Sequence, residues 1–276
     1  MTIPFIKMHG AGNDFVVLDN REKTLSVDAS WAKRLADRRL GVGCDTVVVL
    51  EHSDKADAYM RFYNHDGSES NACGNATRCI GWLLLEEKGA EQVTMETNAG
   101  IRSATRAGDH RVTVDMGAPK WEAEEIPLSE NRNTLHLGIQ QGPLMDPVAV
   151  NMGNPHMVFF VRSLDTVDIH KEGPSLAAHP LYPRKCNVSV VQVMDSEHLK
   201  MKVWERGAGA TLACGTAACA AVVAGHRREI CTNKVEVELP GGTLFIEWDK
   251  QENIVRMTGP VAEVYRGIYS EELVAA

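Results

Sequence analysis

The chain repeats itself at an offset of 141 residues, and this repeat limits the folds that it can adopt. Gly12-Asn13 recurs as Gly153-Asn154, and Ala72-Cys73-Gly74 recurs as Ala213-Cys214-Gly215. Strand-like runs, glycines and a proline fall in the same register, and no gap is needed to hold it. A single match is at chance level, but a register shared over roughly a hundred residues predicts two homologous halves.

The repeat gives the expected domain organisation. We expect a first domain at 1–119 that carries Cys73 and is joined by the C-terminal segment 263–276, and a second domain at 120–262 that carries Cys214. In each half, short runs with period-2 alternation predict strands, and a helix is predicted directly after each Ala-Cys-Gly. The predicted strands are 15–19, 46–50, 58–63, 92–97, 111–116, 157–161, 188–193, 199–204, 235–239, 243–248 and 254–257, and the predicted helices are 28–40, 74–87 and 215–228.

The second of the helices that follow a cysteine is rich in Ala and Val on all sides, which predicts complete burial. Many strands around one buried helix in each half predict an α+β class. We therefore expect two pseudo-symmetric domains, each a curled and mostly antiparallel sheet around a central helix.

Composition excludes several classes of protein. Apolar residues make up 44% and charged residues 24% of the 276 positions, as in soluble globular proteins. The net charge of −8 disfavours nucleic acid and anionic membranes as partners. The apolar run 217–225 is far shorter than the roughly 20 residues of a membrane span. The N-terminus lacks a secretory signal pattern, and seven cysteines, an odd number, indicate reduced thiols in the cytoplasm.

The two repeated cysteines stand where a buried helix begins. The free N–H groups and the positive end of the helix dipole favour a thiolate there and can also bind a carboxylate. If the halves pack about a pseudo-twofold axis, two thiols face one bound group. A symmetric acid/base pair of this kind is what inversion of a carbon with an acidic hydrogen requires. The alternative is that both cysteines are buried caps without chemistry, and burial is the default for the other five.

Polar residues are also paired by the repeat. Asn13 corresponds to Asn154, Thr46 to Asn187, and Asn64 to Glu205. Asparagine at strand ends often only forms turns, and Glu205-Arg206 could be a surface ion pair. In front of the Cys214 loop, however, Glu205 and Arg206 could bind an amine and a carboxylate.

Other kinds of site find little support in the sequence. No cysteine pair has C-x-x-C spacing, so we expect no metal site of that type. Neither of the two Gly-rich loops has the third glycine of a dinucleotide-binding loop, and no Walker A sequence occurs. His156 could be a core histidine or a helper base.

The motifs together resemble those of the diaminopimelate epimerases. The resemblance covers essentially the whole chain, and its cysteine motifs are specific. It is carried by Lys7-Met8-His9-Gly10-Ala11-Gly12-Asn13-Asp14-Phe15, Ala72-Cys73-Gly74-Asn75-Ala76-Thr77-Arg78-Cys79, Gly153-Asn154-Pro155-His156, Glu205-Arg206-Gly207-Ala208-Gly209 and Ala213-Cys214-Gly215-Thr216.

The resemblance implies a cofactor-independent epimerase that converts LL- to meso-2,6-diaminopimelate in lysine and peptidoglycan biosynthesis. It implies a homodimer of two-domain subunits with the site in the cleft between the domains. It assigns the acid/base thiols to Cys73 and Cys214, and the adjustment of their pKa values to His156 and Glu205. The reacting carboxylate would bind at Gly74, Asn75, Gly215 and Thr216, and the distal end of the substrate at Asn13, Asn64, Asn154, Asn187, Glu205 and Arg206.

One position departs from the family pattern, and two other enzyme classes stay open. The family usually has Gln after Gly-x-Asp, whereas this chain has Thr46 in Gly43-Cys44-Asp45-Thr46, so one binding contact is not expected to carry over.

A proline-type racemase also pairs two cysteines, but the motif of that family is Cys-Gly-His, whereas this chain has Cys-Gly-Asn. A Cys–His hydrolase that uses His156 would leave one of the two symmetric cysteines unexplained.

Overall fold

The computed structural model describes residues 2–71 and 73–270, and the chain folds into two compact units. The described residues up to Val114, with those from Gly259 onward, form unit 1, and Asp115–Thr258 form unit 2. Ala72 of the first cysteine motif and the last part of the predicted segment 263–276, from 271 on, lie outside the described residues.

Unit 1 combines a mixed sheet with two helices. Helix α1 is Ala29–Ala36 and helix α2 is Gly74–Lys88. The strands are β1 (Thr2–Gly10), β2 (Asn13–Asp19), β3 (Thr46–Glu51), β4 (Ala58–Asn64), β5 (Glu69–Ser70), β6 (Gln92–Thr97), β7 (Gly100–Arg106), β8 (Arg111–Asp115) and, from the end of the chain, β19 (Ala262–Ser270).

Unit 2 has the same kind of composition. Helix α3 is Ile169–Ala177, helix α4 is Gly215–Arg227, and a 3-10 turn covers Leu164–Thr166. The strands are β9 (Gln140–Gln141), β10 (Leu144–Met145), β11 (Val148–Asn151), β12 (Pro155–Val161), β13 (Asn187–Val193), β14 (His198–Glu205), β15 (Gly209–Thr211), β16 (Lys234–Leu239), β17 (Gly242–Asp249) and β18 (Ile254–Pro260).

The two units share one internal topology. In unit 1, β2 runs parallel to β3, β3 antiparallel to β4, β4 parallel to β6, and β6 antiparallel to β7. In unit 2, β12, β13, β14, β16 and β17 repeat this order of parallel and antiparallel pairs. The predicted α+β class is confirmed, and the shared topology is what two homologous halves predict.

One buried helix lies against the strands of each unit. Helix α4 packs on β11, β12, β13, β16 and β17, and its residues from Ala217 to Gly225 are all buried, as the Ala/Val composition predicts. Helix α2 packs on β1, β6 and β7. Ile80 and Leu84 are buried as predicted, whereas Leu83 is only half-buried and Leu85 is buried instead.

Some elements differ from the sequence expectation. Helix α1 ends at Ala36 instead of continuing to 40, because the next residue, Asp37, takes an extended conformation. Trp31 and Leu35 are buried as expected. Helix α3 was not predicted, since Pro174 lies inside it. Among the described residues, no helix is both long enough and apolar enough to cross a membrane.

The contact between α2 and β7 leads to a stability prediction. A Cβ atom at Gly81 would lie 2.5 Å from the Cβ of Ala104, a methyl group fixed to a strand. Gly81→Ala gains about 1 kcal/mol of helix propensity, but overpacking costs about 1–3 kcal/mol. A contact this short places the cost near the upper end, so we expect a lower free energy of unfolding, measured by urea denaturation.

The compensating variant distinguishes overpacking from other causes. In Gly81→Ala/Ala104→Gly, the methyl group moves from the strand to the helix and the contact is relieved. We expect the double variant to be more stable than Gly81→Ala. A double variant that loses the sum of the two single losses would contradict this account of the packing.

Candidate active site

The thiol of unit 1 lies at the start of its buried helix. Cys73 is the N-cap of α2, with an extended backbone, and its side chain makes no capping hydrogen bond. Gly74 and Asn75 follow as the first two helical residues. Ser, Thr, Asp or Asn usually fill this position and bond the first N–H groups of the helix. A cysteine in their place leaves its thiol available for other contacts.

Two asparagines and a buried arginine surround Cys73. Its Sγ lies 3.8 Å from Oδ1 of Asn13, at the start of β2, and the same oxygen accepts a hydrogen bond of 3.3 Å from Nδ2 of Asn75. Nη1 of Arg78, a fully buried residue one turn into α2, donates to Oδ1 of Asn75 at 2.9 Å. The structure thus brings Cys73, Asn13 and Asn75 together.

Charged residues hold the strand ends around Asn13. Nδ2 of Asn13 donates to Asp45 at 2.8 Å, and the exposed Arg38 donates to both Asp45 and Asp14. Lys7 donates to Asp14 at 2.6 Å. Although burial opposes it, the bonds from Arg38 and Lys7 lower the pKa of Asp14 to about 2. Asp14 is therefore a carboxylate at any physiological pH.

Thr46 and Asn64 lie at the neighbouring strand ends. Thr46 is buried and pairs with Asn64 across β3 and β4. Asn64 is half-buried, and both its backbone N–H and its side-chain amide donate to Ser68, which closes a turn. The turn-forming role that strand-end asparagines often have is therefore present. The substrate contact of Asn64 stays a prediction.

The thiol of unit 2 has an equivalent position but a different partner. Cys214 is the N-cap of α4, again without a capping bond from its side chain, and Gly215 and Thr216 follow it. Its Sγ lies 2.9 Å from Oε2 of Glu205 and 3.5 Å from Oγ1 of Thr216. Oε1 of Glu205 accepts a hydrogen bond of 2.6 Å from Thr211. Burial, and then the negative charge of Glu205, raise the pKa of Cys214 well above its ordinary value.

His156 belongs to a second polar group in unit 2. Its Nε2 lies 2.8 Å from Oδ1 of Asn154 and 3.5 Å from Nδ2 of Asn187, and Oδ1 of Asn187 accepts from the backbone N–H of Arg206. Burial, with a smaller effect of Arg206, lowers the pKa of His156 to about 3, so the ring is neutral at neutral pH. The structure brings these four predicted residues together, and Arg206 is exposed at the edge of the group.

Burial separates Cys73 from the other six cysteines. Cys73 is half-exposed, whereas the other six, including Cys214, are buried. For the five that have no counterpart in the other half, the expected burial is confirmed. Burial raises the pKa of Cys44 and of Cys79 to about 12, so these side chains are inert thiols.

Three side chains that support the thiols were not predicted from the sequence. Asp45 and Arg78 hold the amides of Asn13 and Asn75, and Thr211 holds Glu205. Arg78 could have been recognised from the sequence, because an arginine in the first turns of a helix that is expected to be buried needs a specific partner. The other two depend on how strands pair, which the sequence does not display.

Comparisons with known proteins place the chain in a family. The sequence model of the family "Diaminopimelate epimerase" matches residues 5–122 and 148–264. The diaminopimelate epimerase of Acidiphilium cryptum is 49% identical over 264 residues, which cover 96% of this chain and 95% of the relative. That of Rhodospirillum centenum is 47% identical over 271 residues, with 98% and 93% covered.

Solved structures with the same fold are more distant. A phenazine biosynthesis protein of the PhzF family from Bacillus anthracis has a TM-score of 0.70 at 18% identity, covering 98% of this chain and 99% of its own. A hydroxyproline epimerase from Agrobacterium vitis has a TM-score of 0.69 at 15% identity, covering 98% and 93%. These likenesses concern the fold alone. The family match and the close relatives confirm the resemblance seen in the motifs, and the chain belongs to the diaminopimelate epimerase family.

Proposed function

We propose that the protein interconverts LL- and meso-2,6-diaminopimelate in lysine and peptidoglycan biosynthesis, using two thiols and no cofactor. One observation carries the proposal. In each half of a chain of this family, a thiol occupies the N-cap of the buried helix and makes no capping bond. The names of the relatives supply the substrate.

The proposed reaction is a transfer of two protons. A thiolate removes the hydrogen from the α-carbon, and the electron pair of the C–H bond moves into the carbon and its carboxylate. A thiol on the opposite face then gives its proton to the same carbon, which inverts it. The carboxylate, bound by the N–H groups of a helix start at Gly74-Asn75 or Gly215-Thr216, gains charge as the carbanion forms, and these N–H groups stabilise that charge.

The contacts of the two thiols suggest their resting states. Burial, and then the Glu205 carboxylate 2.9 Å from Sγ, raise the pKa of Cys214 and keep it protonated. Cys73 is half-exposed, and its acceptor is a neutral amide. We therefore assign the thiolate to Cys73 and the thiol to Cys214 at the start of one direction of the reaction, with the roles exchanged in the other.

The rival hydrolase finds no support in unit 2. A Cys–His pair needs a hydrogen bond between the thiol and the ring. Among the described residues of unit 2, the contacts of Cys214 are with Glu205 and Thr216, and those of the His156 ring are with Asn154 and Asn187.

Substitution of either thiol tests the proposal. Cys73→Ala and Cys214→Ala should each lower kcat for LL-diaminopimelate by about 100-fold or more, because each removes the acid or base of one face. Circular dichroism checks that both variants stay folded. The wild-type protein should not act on L-proline or on a simple ester.

Two matched variants serve as controls. Cys79 and Cys219 lie in the bodies of the same helices and are fully buried. Cys79→Ala and Cys219→Ala should keep the activity of the wild-type protein and lose only packing energy. Near-normal turnover by Cys73→Ala or Cys214→Ala, or turnover of proline in place of diaminopimelate, would refute the assignment.

The contact between Glu205 and Cys214 predicts a change in pH dependence. A negative charge beside a thiol disfavours the thiolate and raises its pKa, so Glu205→Gln should lower the pKa of Cys214 relative to the wild-type protein. The rate of modification of Cys214 by a small thiol reagent should then rise at a lower pH than it does in the wild-type protein.

The control for this shift is Glu238→Gln, which removes an exposed carboxylate paired with Lys200 in the same unit. It should leave the pH profile of Cys214 unchanged. An unchanged or upward-shifted profile in Glu205→Gln would show that Glu205 does not control the protonation of Cys214.

The proposal includes a homodimer in the cytoplasm. In unit 1, strand β19 exposes Val264, Tyr265 and Ile268, and Ile268 is 72% exposed. Pro4, opposite Ile268 on β1, is also exposed. Apolar side chains clustered on one exposed strand are typical of a surface that a second protein covers. We assign this surface to a second copy of the chain.

Sedimentation velocity tests the dimer. Ile268→Lys should shift the wild-type dimer towards monomer, because a charge would be buried at the contact. Ile101→Lys, at another exposed isoleucine of unit 1, should leave the dimer intact. A monomeric wild-type protein would refute the homodimer, and a dimeric Ile268→Lys would refute this surface as its interface.

A further inference from the structure

A chain of side-chain hydrogen bonds runs past Cys73 and ends in a charge on each side. Arg78 Nη1 donates to Asn75 Oδ1 at 2.9 Å, and Asn75 Nδ2 donates to Asn13 Oδ1 at 3.3 Å. Asn13 Nδ2 donates to Asp45 Oδ2 at 2.8 Å. This hydrogen-bond chain therefore has a cation at one end, a carboxylate at the other and two amides between them.

The charged ends decide which way the amides face. An amide turned by 180° keeps its shape but exchanges its donor and its acceptor, so only its partners fix its orientation. A guanidinium group can only donate, and a carboxylate can only accept. With Arg78 at one end and Asp45 at the other, both asparagines are satisfied in a single orientation.

The orientation matters because of what it presents to the thiol. Asn13 directs its oxygen at Cys73, with 3.8 Å between Oδ1 and Sγ. The oxygen of this neutral amide disfavours a thiolate less than the carboxylate beside Cys214 does, and it leaves the Cys73 thiolate a strong base. A reversed amide would donate to the thiolate and weaken it as a base. Resting on the proposed function, we propose that Asp45 and Arg78 are positioning residues, which fix the amides of Asn13 and Asn75 so that Cys73 faces an acceptor.

The surroundings hold both ends in place. A Cβ atom at Gly10 would lie 2.9 Å from Nη2 of Arg78 and 3.2 Å from the backbone oxygen of Asn75, so glycine is what lets β1 lie against this part of α2. At the other end, Arg38 donates to the second oxygen of Asp45 at 2.7 Å. The carboxylate is thereby fixed in rotation as well as in position.

The equivalent positions of the second half, which the structure describes, do not carry these charges. The residues 141 positions after Asp45 and Arg78 are Cys186 and Cys219, and both are buried and uncharged. Cys214 has a carboxylate, that of Glu205, as its acceptor instead, and a carboxylate needs no help to act only as an acceptor. The charged ends are thus present beside Cys73, which faces an amide that can turn. They are absent from the equivalent positions near Cys214, which faces a carboxylate.

Asp45 and Arg78 can each orient the amides without the other. Their substitutions should therefore have non-additive effects. With Asp45→Asn alone, Arg78 still fixes Asn75, and Asn75 still fixes Asn13. With Arg78→Gln alone, Asp45 orients the amides from the other side. In Asp45→Asn/Arg78→Gln, neither charged end remains to orient the amide of Asn13. The double variant should therefore lose more kcat/KM than the two single losses combined.

The experiment is a double-mutant cycle with two readouts on the full-length protein. The first readout is kcat/KM for LL-diaminopimelate, where we expect the double variant to fall about tenfold below the product of the single effects. The second is the rate at which iodoacetamide alkylates Cys73, followed by peptide mass mapping. The through-space effect of each lost charge cancels in the cycle. Without either charged end, the amide of Asn13 can turn and donate to the thiolate, so alkylation of the double variant should be faster than the product of the two single effects predicts.

Conservative and matched variants separate positioning from a structural role. Arg78→Lys keeps an end that can only donate, so Asp45→Asn/Arg78→Lys should show little coupling even if it is less stable than the wild-type protein. Asp57 accepts hydrogen bonds from Lys88 and Thr94 and takes no part in the hydrogen-bond chain past Cys73. The effects of Asp57→Asn and Arg78→Gln should therefore be additive.

The outcomes are distinguishable. Additive effects of Asp45→Asn and Arg78→Gln on the alkylation of Cys73 would overturn the positioning proposal. A wild-type protein that does not turn over diaminopimelate would overturn the proposed function, while the alkylation cycle would still decide the role of the two charged ends.

Discussion

Each unit depends on a helix that begins at a cysteine and is stabilised by burial rather than by a cap. A Ser, Asp or Asn at such a position contributes about 1 kcal/mol through its bond to the first N–H groups, and neither thiol makes that bond. Helix α4 compensates with a row of buried Ala and Val side chains. A helix held in this way can leave its first turn and its N-cap side chain to a ligand, which is what the proposed carboxylate site requires.

The repeat fixes where the thiols lie but not what surrounds them. Both halves place a cysteine at the same point of the same topology, yet Cys73 faces the amide of Asn13 and Cys214 faces the carboxylate of Glu205. A reaction that takes a proton from one face and returns one to the other needs a thiolate and a thiol at the same time. Under the proposed function, the unequal surroundings of two equivalent thiols would provide that difference before any substrate binds.

The sequence predicted the elements whose pattern is local. The strands β3, β4, β13 and β14 and the starts of α2 and α4 lie within one residue of their predicted positions, because alternation and the Cys-Gly boundary are visible along the chain. Strands β1 and β19 were not predicted, and they pair with each other from opposite ends of the chain, a contact that no local pattern displays. Helix α3 contains a proline that argues against it locally, but it is stabilised by apolar side chains such as Ile169 and Leu176 in the core of unit 2.

The candidate site shows the same division. Both cysteines and the asparagines could be found from the repeat and the motifs, whereas the roles of Asp45 and Arg78 could not, because they depend on contacts between residues distant in sequence. Proteins at 15–18% identity share this fold, among them a hydroxyproline epimerase and a phenazine biosynthesis protein, so the topology alone does not determine the reaction. What can differ between such proteins is the set of polar groups around the two helix starts. In this chain, we propose that Asp45 and Arg78 belong to that set, and the equivalent positions of the second half, Cys186 and Cys219, carry no charge.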